Sequence, residues 1–319
     1  MIDPIWNKSD RTGGDSTRAA VSLARVWRGY ILCAYLDSNE HSDKVYTTLF
    51  DPYVHQGWGG SPNIPAPGRD IIRSLMPPAI GYSGLSTVII TCGSEKDPHG
   101  RQPAAHVIGY PFNADQLGDF HQVAAGGALP LPVSDCDTAT RPALALCNGK
   151  MVFAYRSING NLRAVFGAFD GQPKWAGEAE ITAAPISDGP SLAVFKNTFY
   201  CAYLRPGGLT FIQNSADGKS WSPAVEIPVR PVHGPALSTD PHEEQLRLIY
   251  VQAGGAKLWN VTSANGVNWS TPEEHPDATT SAAPALIGSA AGLFLCVYKD
   301  EKGGNLYSTY TKQGAYTMT

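Results

Sequence analysis

The stretch GPSLAVFKNTFYCAYLRPGGLTFIQNSADGKSWSP, Gly189 to Pro223, decides the fold. An apolar run from Pro190 to Phe195 leads through a Lys-Asn turn into a second run, Thr198 to Leu204. A Pro-Gly-Gly turn at 206–208 separates this from a third run, Leu209 to Asn214. A polar turn from Ser215 ends at Trp221, and a fourth short run, Ala224 to Ile227, completes the unit. Short β-branched and aromatic runs cut by Gly, Pro, Asn and Asp are antiparallel strands.

The unit recurs along the chain. Its opening run reappears as Ala19–Leu23, Pro78–Gly81, Pro142–Leu146, Pro235–Ser238 and Pro284–Ile287. Starts near residues 19, 78, 142, 190, 235 and 284 lie about 59, 64, 48, 45 and 49 residues apart, the spacing of propeller blades. The second run recurs as ILCAYL (31–36), MVFAYR (151–156), LRLIYV (246–251) and FLCVYK (294–299). The third recurs as KVYTTLF, NLRAVFGAF, KLWNVTS and NLYSTYT beside LTFIQNS itself. Six copies predict an all-β chain, one domain over residues 1–319: a six-bladed β-propeller with four-stranded antiparallel blades. The last copy shows no clear fourth strand after Thr311, and Pro4-Ile5-Trp6-Asn7 is a spare segment at the other end. Residues 1–10 are therefore expected to complete blade six and close the ring, with Trp6 in the place Trp221 holds in its own blade; closure would seal two open edges. Blade two, 78 to about 131, carries insertions at 93–103 and around 121–140, and long loops on a regular scaffold are candidate functional elements.

Composition excludes several classes of function. The 319 residues carry a net charge of −4 and no Lys/Arg run, which argues against nucleic acid as a partner. No stretch of about 18 apolar residues is present to span a membrane. The start, MIDPIWNKSDRTGGDST, lacks an apolar signal core, so a cytoplasmic location is expected, with unconventional release as the other route. Cys33, Cys201 and Cys296 share one slot, two residues before Tyr35, Tyr203 and Tyr298, in blades too far apart for disulfides; they read as small buried thiols. Cys136, between Asp135 and Asp137, is expected to be exposed. The eight histidines show no metal-ligand spacing, and no phosphate loop, Gly-x-Ser-x-Gly elbow or His-Glu-x-x-His occurs, so no metal or cofactor is expected.

The turn before the fourth run recurs as Ser215-Ala-Asp217-Gly218-Lys-Ser-Trp221, Ser263-Ala-Asn265-Gly266-Val-Asn-Trp269 and Phe169-Asp170-Gly171-Gln-Pro-Lys-Trp175, with an echo in Phe50-Asp51 and Trp58. Asp or Asn bonds its own backbone, Gly takes positive φ, and Trp packs beneath. It resembles the Asp-box of sialidases and related propellers, one residue shorter between Asp and Gly. The resemblance implies a structural turn on the face away from the active site. Function then belongs to the opposite face. There, Arg18 and Arg141 stand at aligned inner-strand starts and Arg73 lies ahead of Pro78. Asp37, Arg156, Arg205, Gln252 and Asp300 end the second strands. Such a set could bind hydroxyls or a carboxylate around the channel mouth, the arginines in bidentate fashion.

The sialidase resemblance further implies a carboxylate-gripping Arg18, where Arg18-Ala19-Ala20 stands in place of that family's Arg-Ile-Pro. It implies Arg141 or Arg205 as a further arginine, Asp37 or Asp43 as acid/base, and Tyr298 or Tyr307 as nucleophile. The chain is also similar to fungal and bacterial lectin propellers, which implies sugars held by aromatic platforms and planar polar groups; 7 Trp and 14 Tyr are available. Three functions follow as expectations: a carbohydrate-binding propeller with its site at the channel mouth; an enzyme with one funnel, either a glycoside hydrolase or a cyclase or pericyclase of fungal secondary metabolism; or a protein-interaction platform. The partner in the first two is a glycan or small molecule, and homo-oligomerisation is open. A multivalent lectin repeats its binding residues, whereas an enzyme repeats only its scaffold.

Overall fold

The computed structural model describes residues 6–7, 9–26, 29–39, 41–52, 57–59, 72–84, 87–92, 103–109, 121–128, 135–240, 242, 244–289 and 292–311. Pro4, Ile5 and residues 93–102 and 129–134 of the blade-two insertions lie outside them. The regular elements are β-strands in six four-stranded antiparallel sheets. The N-terminal strand β1 (Asp10–Ser16) precedes the first complete sheet. That sheet comprises β2 (Ser22–Arg25), β3 (Ile31–Leu36), β4 (Val45–Asp51) and β5 (Gly57–Gly59). The second comprises β6 (Ala79–Tyr82), β7 (Thr87–Cys92), β8 (Pro103–Gly109) and β9 (His121–Ala128). The third comprises β10 (Ala143–Cys147), β11 (Lys150–Arg156), β12 (Leu162–Phe169) and β13 (Pro173–Thr182). The fourth is β14 (Ser191–Phe195), β15 (Thr198–Arg205), β16 (Leu209–Ser215) and β17 (Val225–Ile227). The fifth is β18 (Ala236–Thr239), β19 (Leu246–Val251), β20 (Lys257–Ser263) and β21 (Glu273–Thr279). The sixth is β22 (Ala285–Gly288), β23 (Phe294–Lys299), β24 (Asn305–Tyr310) and the returning β1.

The first strands of the sheets touch in a closed cycle, β2 to β6 to β10 to β14 to β18 to β22 and back to β2. That cycle makes the molecule a β-propeller with its first strands around the axis. Each blade is too thin to bury both faces of its sheet, so the core forms between blades. Phe199, Cys201 and Tyr203 of β15, for example, pack on Ala145, Val152, Ala154 and Leu162 of the preceding blade. Burial of such side chains stabilises by roughly 25 cal/mol per Å² of apolar surface.

The N-terminal strand closes the ring and runs on past residue 10. Among the described residues, Trp6 bridges Thr311 and pairing continues through β1, with Asp10 opposite Ser308 and Ser16 opposite Asn305. Trp6, like Trp221, sinks into the core between its own blade and the preceding one. The anchoring indole takes the bottom of the strand, so the paired segment must run onward to Ser16. In blade two, the stretch from 121 to 128 is the fourth strand, β9, and not insertion.

The recurring polar turn is held as its residue types require. Ser215 Oγ accepts the Gly218 N–H at 2.8 Å, and Asp217 Oδ1 accepts those of Lys219 and Ser220 at 2.8 and 2.9 Å. Ser263 and Asn265 repeat the pattern. At Gly266, where φ is +75°, a Cβ would stand 2.6 Å from the Tyr200 ring of the preceding blade. The glycine thus serves both the turn and the close approach.

All six cysteines are free and buried. Cys136 departs from its expected exposure: it bridges Ser157, and its thiol lies 3.8 Å from the Met76 sulfur, because the loop before blade three is drawn into the groove against blade two. No helix among the described residues is long and apolar enough to cross a membrane.

Candidate functional site

Each of the eight residues nominated from the sequence has its own set of neighbours among the described residues. Arg141 is the one that reaches across the ring: it is buried, and its NH1 donates to the carbonyls of Val21 at 2.9 Å and Pro284 at 2.7 Å. Arg18 sits on the rim and donates to the Asn39 carbonyl at 3.2 Å. Arg73 pairs with Asp43, and Arg156 pairs with Asp137 and donates to the Ile186 carbonyl at 2.9 Å. Arg205 lies over the Phe211 ring, 4.2 Å from its centroid, and donates to Thr182 Oγ1 at 3.1 Å. Asp300 Oδ1 closes its own loop on the N–H groups of Gly303 and Asn305. Gln252 bridges Pro231 through its backbone. Asp37 Oδ1 accepts the Asn39 N–H at 3.1 Å. Burial opposes its charge, but hydrogen bonds from Asn39, Ser42 and Ser38 and the nearby Lys44 outweigh that and hold it below the usual carboxylate range. The second-strand ends lie one strand, about 4.8 Å, outward of the axial strands, where neighbouring loops engage them.

A different set recurs in register. The second strands carry buried Tyr35, Tyr155, Tyr203, Tyr250 and Tyr298. Directly across the ladder on the third strands stand Tyr46, Arg163, Phe211, Trp259 and Tyr307, all half-buried. Three of these pairs stack: Tyr35 on Tyr46 at 5.9 Å and 20°, Tyr203 on Phe211 at 6.0 Å and 22°, and Tyr298 on Tyr307 at 6.1 Å and 20°. In blade two the same register holds Thr91 and Ala104. The second-strand tyrosine is the backing, and the third-strand ring is the accessible face in the groove against the preceding blade.

Each ring has its own polar neighbour. The Tyr46 hydroxyl hydrogen-bonds Asp37, and burial together with that carboxylate raises its pKa. Phe211 carries Arg205. Trp259 faces Glu274, which pairs with Lys257. Tyr307 lies opposite Arg11, whose NH2 donates to Asn305 Oδ1 at 2.6 Å. The signal for this set is present in the aligned runs KVY, LTF, KLW and NLY, but the neighbouring repeated tyrosines make an aromatic there look like scaffold.

Blade three replaces the ring with a charged cluster. Tyr155 hydrogen-bonds Glu178 and, at 3.2 Å, Asp135, while Arg163 contacts the same two carboxylates at 3.0 and 3.4 Å. Burial, and then Glu178, push the Tyr155 hydroxyl well above its ordinary pKa. A nucleophile needs the reverse shift or an adjacent base ready to take its proton, and Glu178 is such a neighbour. Tyr298 is likewise pushed up, chiefly by burial. The described residues contain no group of three or more His, Cys, Asp and Glu suited to a metal ion.

No protein-family model matches the chain, and no curated protein matches it. Solved structures do. A sialidase from Trypanosoma rangeli is similar over 95% of this chain and 59% of its own, at 10% identity and a TM-score of 0.62. AofleA from Arthrobotrys oligospora is similar over 97% of this chain and 88% of its own, at 9% identity and 0.63. The Hadza microbial sialidase Hz136 is similar over 94% of this chain and 66% of its own, at 12% identity and 0.63. The chain thus spans under two thirds of the length of the trypanosomal sialidase. At these identities the likeness establishes the fold, a β-propeller, and nothing finer.

Proposed function

We propose that the protein binds carbohydrate without hydrolysing it, through the third-strand rings in the grooves between blades. The observation that carries this is the recurrence of an accessible aromatic at one register position in four blades (Tyr46, Phe211, Trp259, Tyr307), each beside a different polar group. A ring offers a flat apolar surface to the C–H face of a pyranose, and Asp37, Glu274 or Asn305 beside it supplies directional hydrogen bonds to hydroxyls, while at Phe211 the Arg205 guanidinium lies over the ring. Differing edge groups allow the stations to prefer different sugars. The fold supports such a role, since one structural neighbour is a sialidase in complex with sialic acid. Against an enzyme of that kind stands the Arg141 side chain across the axis.

The test pairs a glycan array and calorimetric titration with incubation on fluorogenic glycosides, sialosides included. The expected result is retention of a restricted glycan set, weakened by Trp259→Ala or Phe211→Ala, with no fluorophore released. Turnover by the wild-type protein that disappears in Tyr155→Phe would replace this proposal with an enzyme reading, and absence of any retained glycan would end it.

A further inference from the structure

The axis of the ring is hollow beneath Arg141. Six aliphatic side chains at one aligned position, Leu23, Ile80, Leu144, Leu192, Leu237 and Leu286, form a tier shared by two chambers. The smaller, about 60 Å³, lies on the Arg141 side and is lined by that guanidinium, Ser22 and Ser191. The larger, about 530 Å³, is walled by the far ends of the first strands and opens between the first-to-second strand turns, beside Asn148 and Asn197. This mouth is on the face opposite the aromatic stations.

Charge in the channel is one-sided. Among the described residues, the charged ones lining the two chambers are Arg25, at the turn-face end, and Arg141, at the other end, with no Asp or Glu. The whole protein carries −4, so the channel departs from the molecule's overall balance. Arg141 is 7% exposed and donates to two backbone carbonyls, with no ion pair among the described residues. Asp188 is the carboxylate whose field favours its charge, but that side chain is turned to the N–H groups of Gly189 and Gly234, at 2.6 and 2.7 Å. A buried cation with only neutral acceptors is costly and gains most from a counter-charge.

We propose that this axial channel is a second ligand site, entered from the turn face, for a small monocarboxylate with an apolar body. The carboxylate points to Arg141, where the small chamber has room for a carboxyl group or two waters at about 30 Å³ each. The body lies along the aliphatic tier and in the large chamber, whose volume falls in the roughly 300–1,000 Å³ range of small-molecule sites. The site is independent of the glycan stations, so either can fail without the other.

The probes are sodium octanoate and octan-1-ol, which share an apolar body and differ in charge, titrated calorimetrically into the full chain. Octanoate should bind one-to-one and about tenfold or more tighter than octan-1-ol, the margin of a charge-assisted hydrogen bond. Val194→Trp, at the channel mouth, should weaken octanoate about tenfold or more while the variant still folds and retains glycan, with Tm lowered modestly because Val194 also packs on the core between blades three and four. Arg141→Gln should bring octanoate down to the level of octan-1-ol; if that variant does not fold, the alcohol comparison and Val194→Trp decide. Equal affinity for acid and alcohol, undiminished binding in Val194→Trp, or no saturable octanoate binding would each overturn the proposal.

Discussion

Trp259 and Tyr250 face each other across β19 and β20, yet their environments differ. Tyr250 is fully buried, and its hydroxyl has no partner among the described residues, with burial pushing its pKa up to about 12. Trp259 is half-buried on the open side. Trp259→Ala should therefore weaken glycan binding by roughly five- to tenfold, as loss of an aromatic contact does, with a stability cost of about 1–2 kcal/mol from lost packing. Tyr250→Phe should bind sugar as the wild type does and be equally or more stable, since it removes a buried hydroxyl that has no partner. Titration and urea midpoints on both variants check the pair; weaker binding in Tyr250→Phe would put the ligand on the wrong side of the ladder.

A second residue-scale effect concerns His275, which is 2% exposed and was not distinguished in the sequence from the loop histidines. Its Nδ1 accepts the Ala278 N–H at 3.1 Å, and Nε2 lies 3.1 Å from Thr309 Oγ1, so the neutral ring suits the site. Burial lowers its pKa to about 4 despite the pull of Asp277. In the unfolded chain the ring titrates near 6.5. The stabilisation is thus complete above pH 6.5 and is lost as pH falls from there toward about 4, by about 2–3 kcal/mol. Urea midpoints near pH 7 and pH 4.5 should fall more steeply for the wild type than for His275→Gln. Parallel slopes would assign acid sensitivity to other groups.

At the scale of the element, β1 carries the ring's closure. Its links to β24 include Thr12 Oγ1 to the Leu306 carbonyl at 3.1 Å, and Ser9 ties the entry to the Asp277 carboxylate of blade five, also at 3.1 Å. Deleting residues 1–16 removes Trp6 from its core cluster and leaves β24 as an unpaired edge, so the truncated chain should aggregate. Size exclusion of the refolded protein checks this, and a synthetic 1–16 peptide added during refolding should restore part of the monomer. A soluble, folded truncation would show that closure rests on the inner strands. That an N-terminal segment closes the ring was legible, because the last repeat supplies only three strands. Its extent to Ser16 was not. DRTGGDS lacks any strand signature, since an outermost strand faces solvent on one side and needs no apolar alternation, whereas the Trp in PIWN drew the expectation to residues 1–10.

At the scale of the molecule, the repeat made the blades legible and hid what breaks the symmetry. Arg18 and Arg141 occupy aligned positions and invite one role, yet one stays on the rim and the other crosses the axis to carbonyls of blades one and six. Alignment along the chain carries no information about which side chain turns inward when six strands crowd one axis. The rings at Tyr46, Phe211, Trp259 and Tyr307 show the converse, a repeat that is also the candidate surface. Their arrangement around one ring has a measurable consequence. Each station is open and shallow, so its affinity for a free sugar should be weak. On a dense glycan surface several stations engage together, and apparent affinity should exceed the free-sugar value by about 10² or more. Surface plasmon resonance across a series of ligand densities should show this gain shrinking as density falls. Replacing one ring by Ala should trim the gain, and replacing all four should abolish it while the fold persists. If a single replacement removed both free and surface binding, the ligand would occupy one site, and the recurrence of rings would be packing alone.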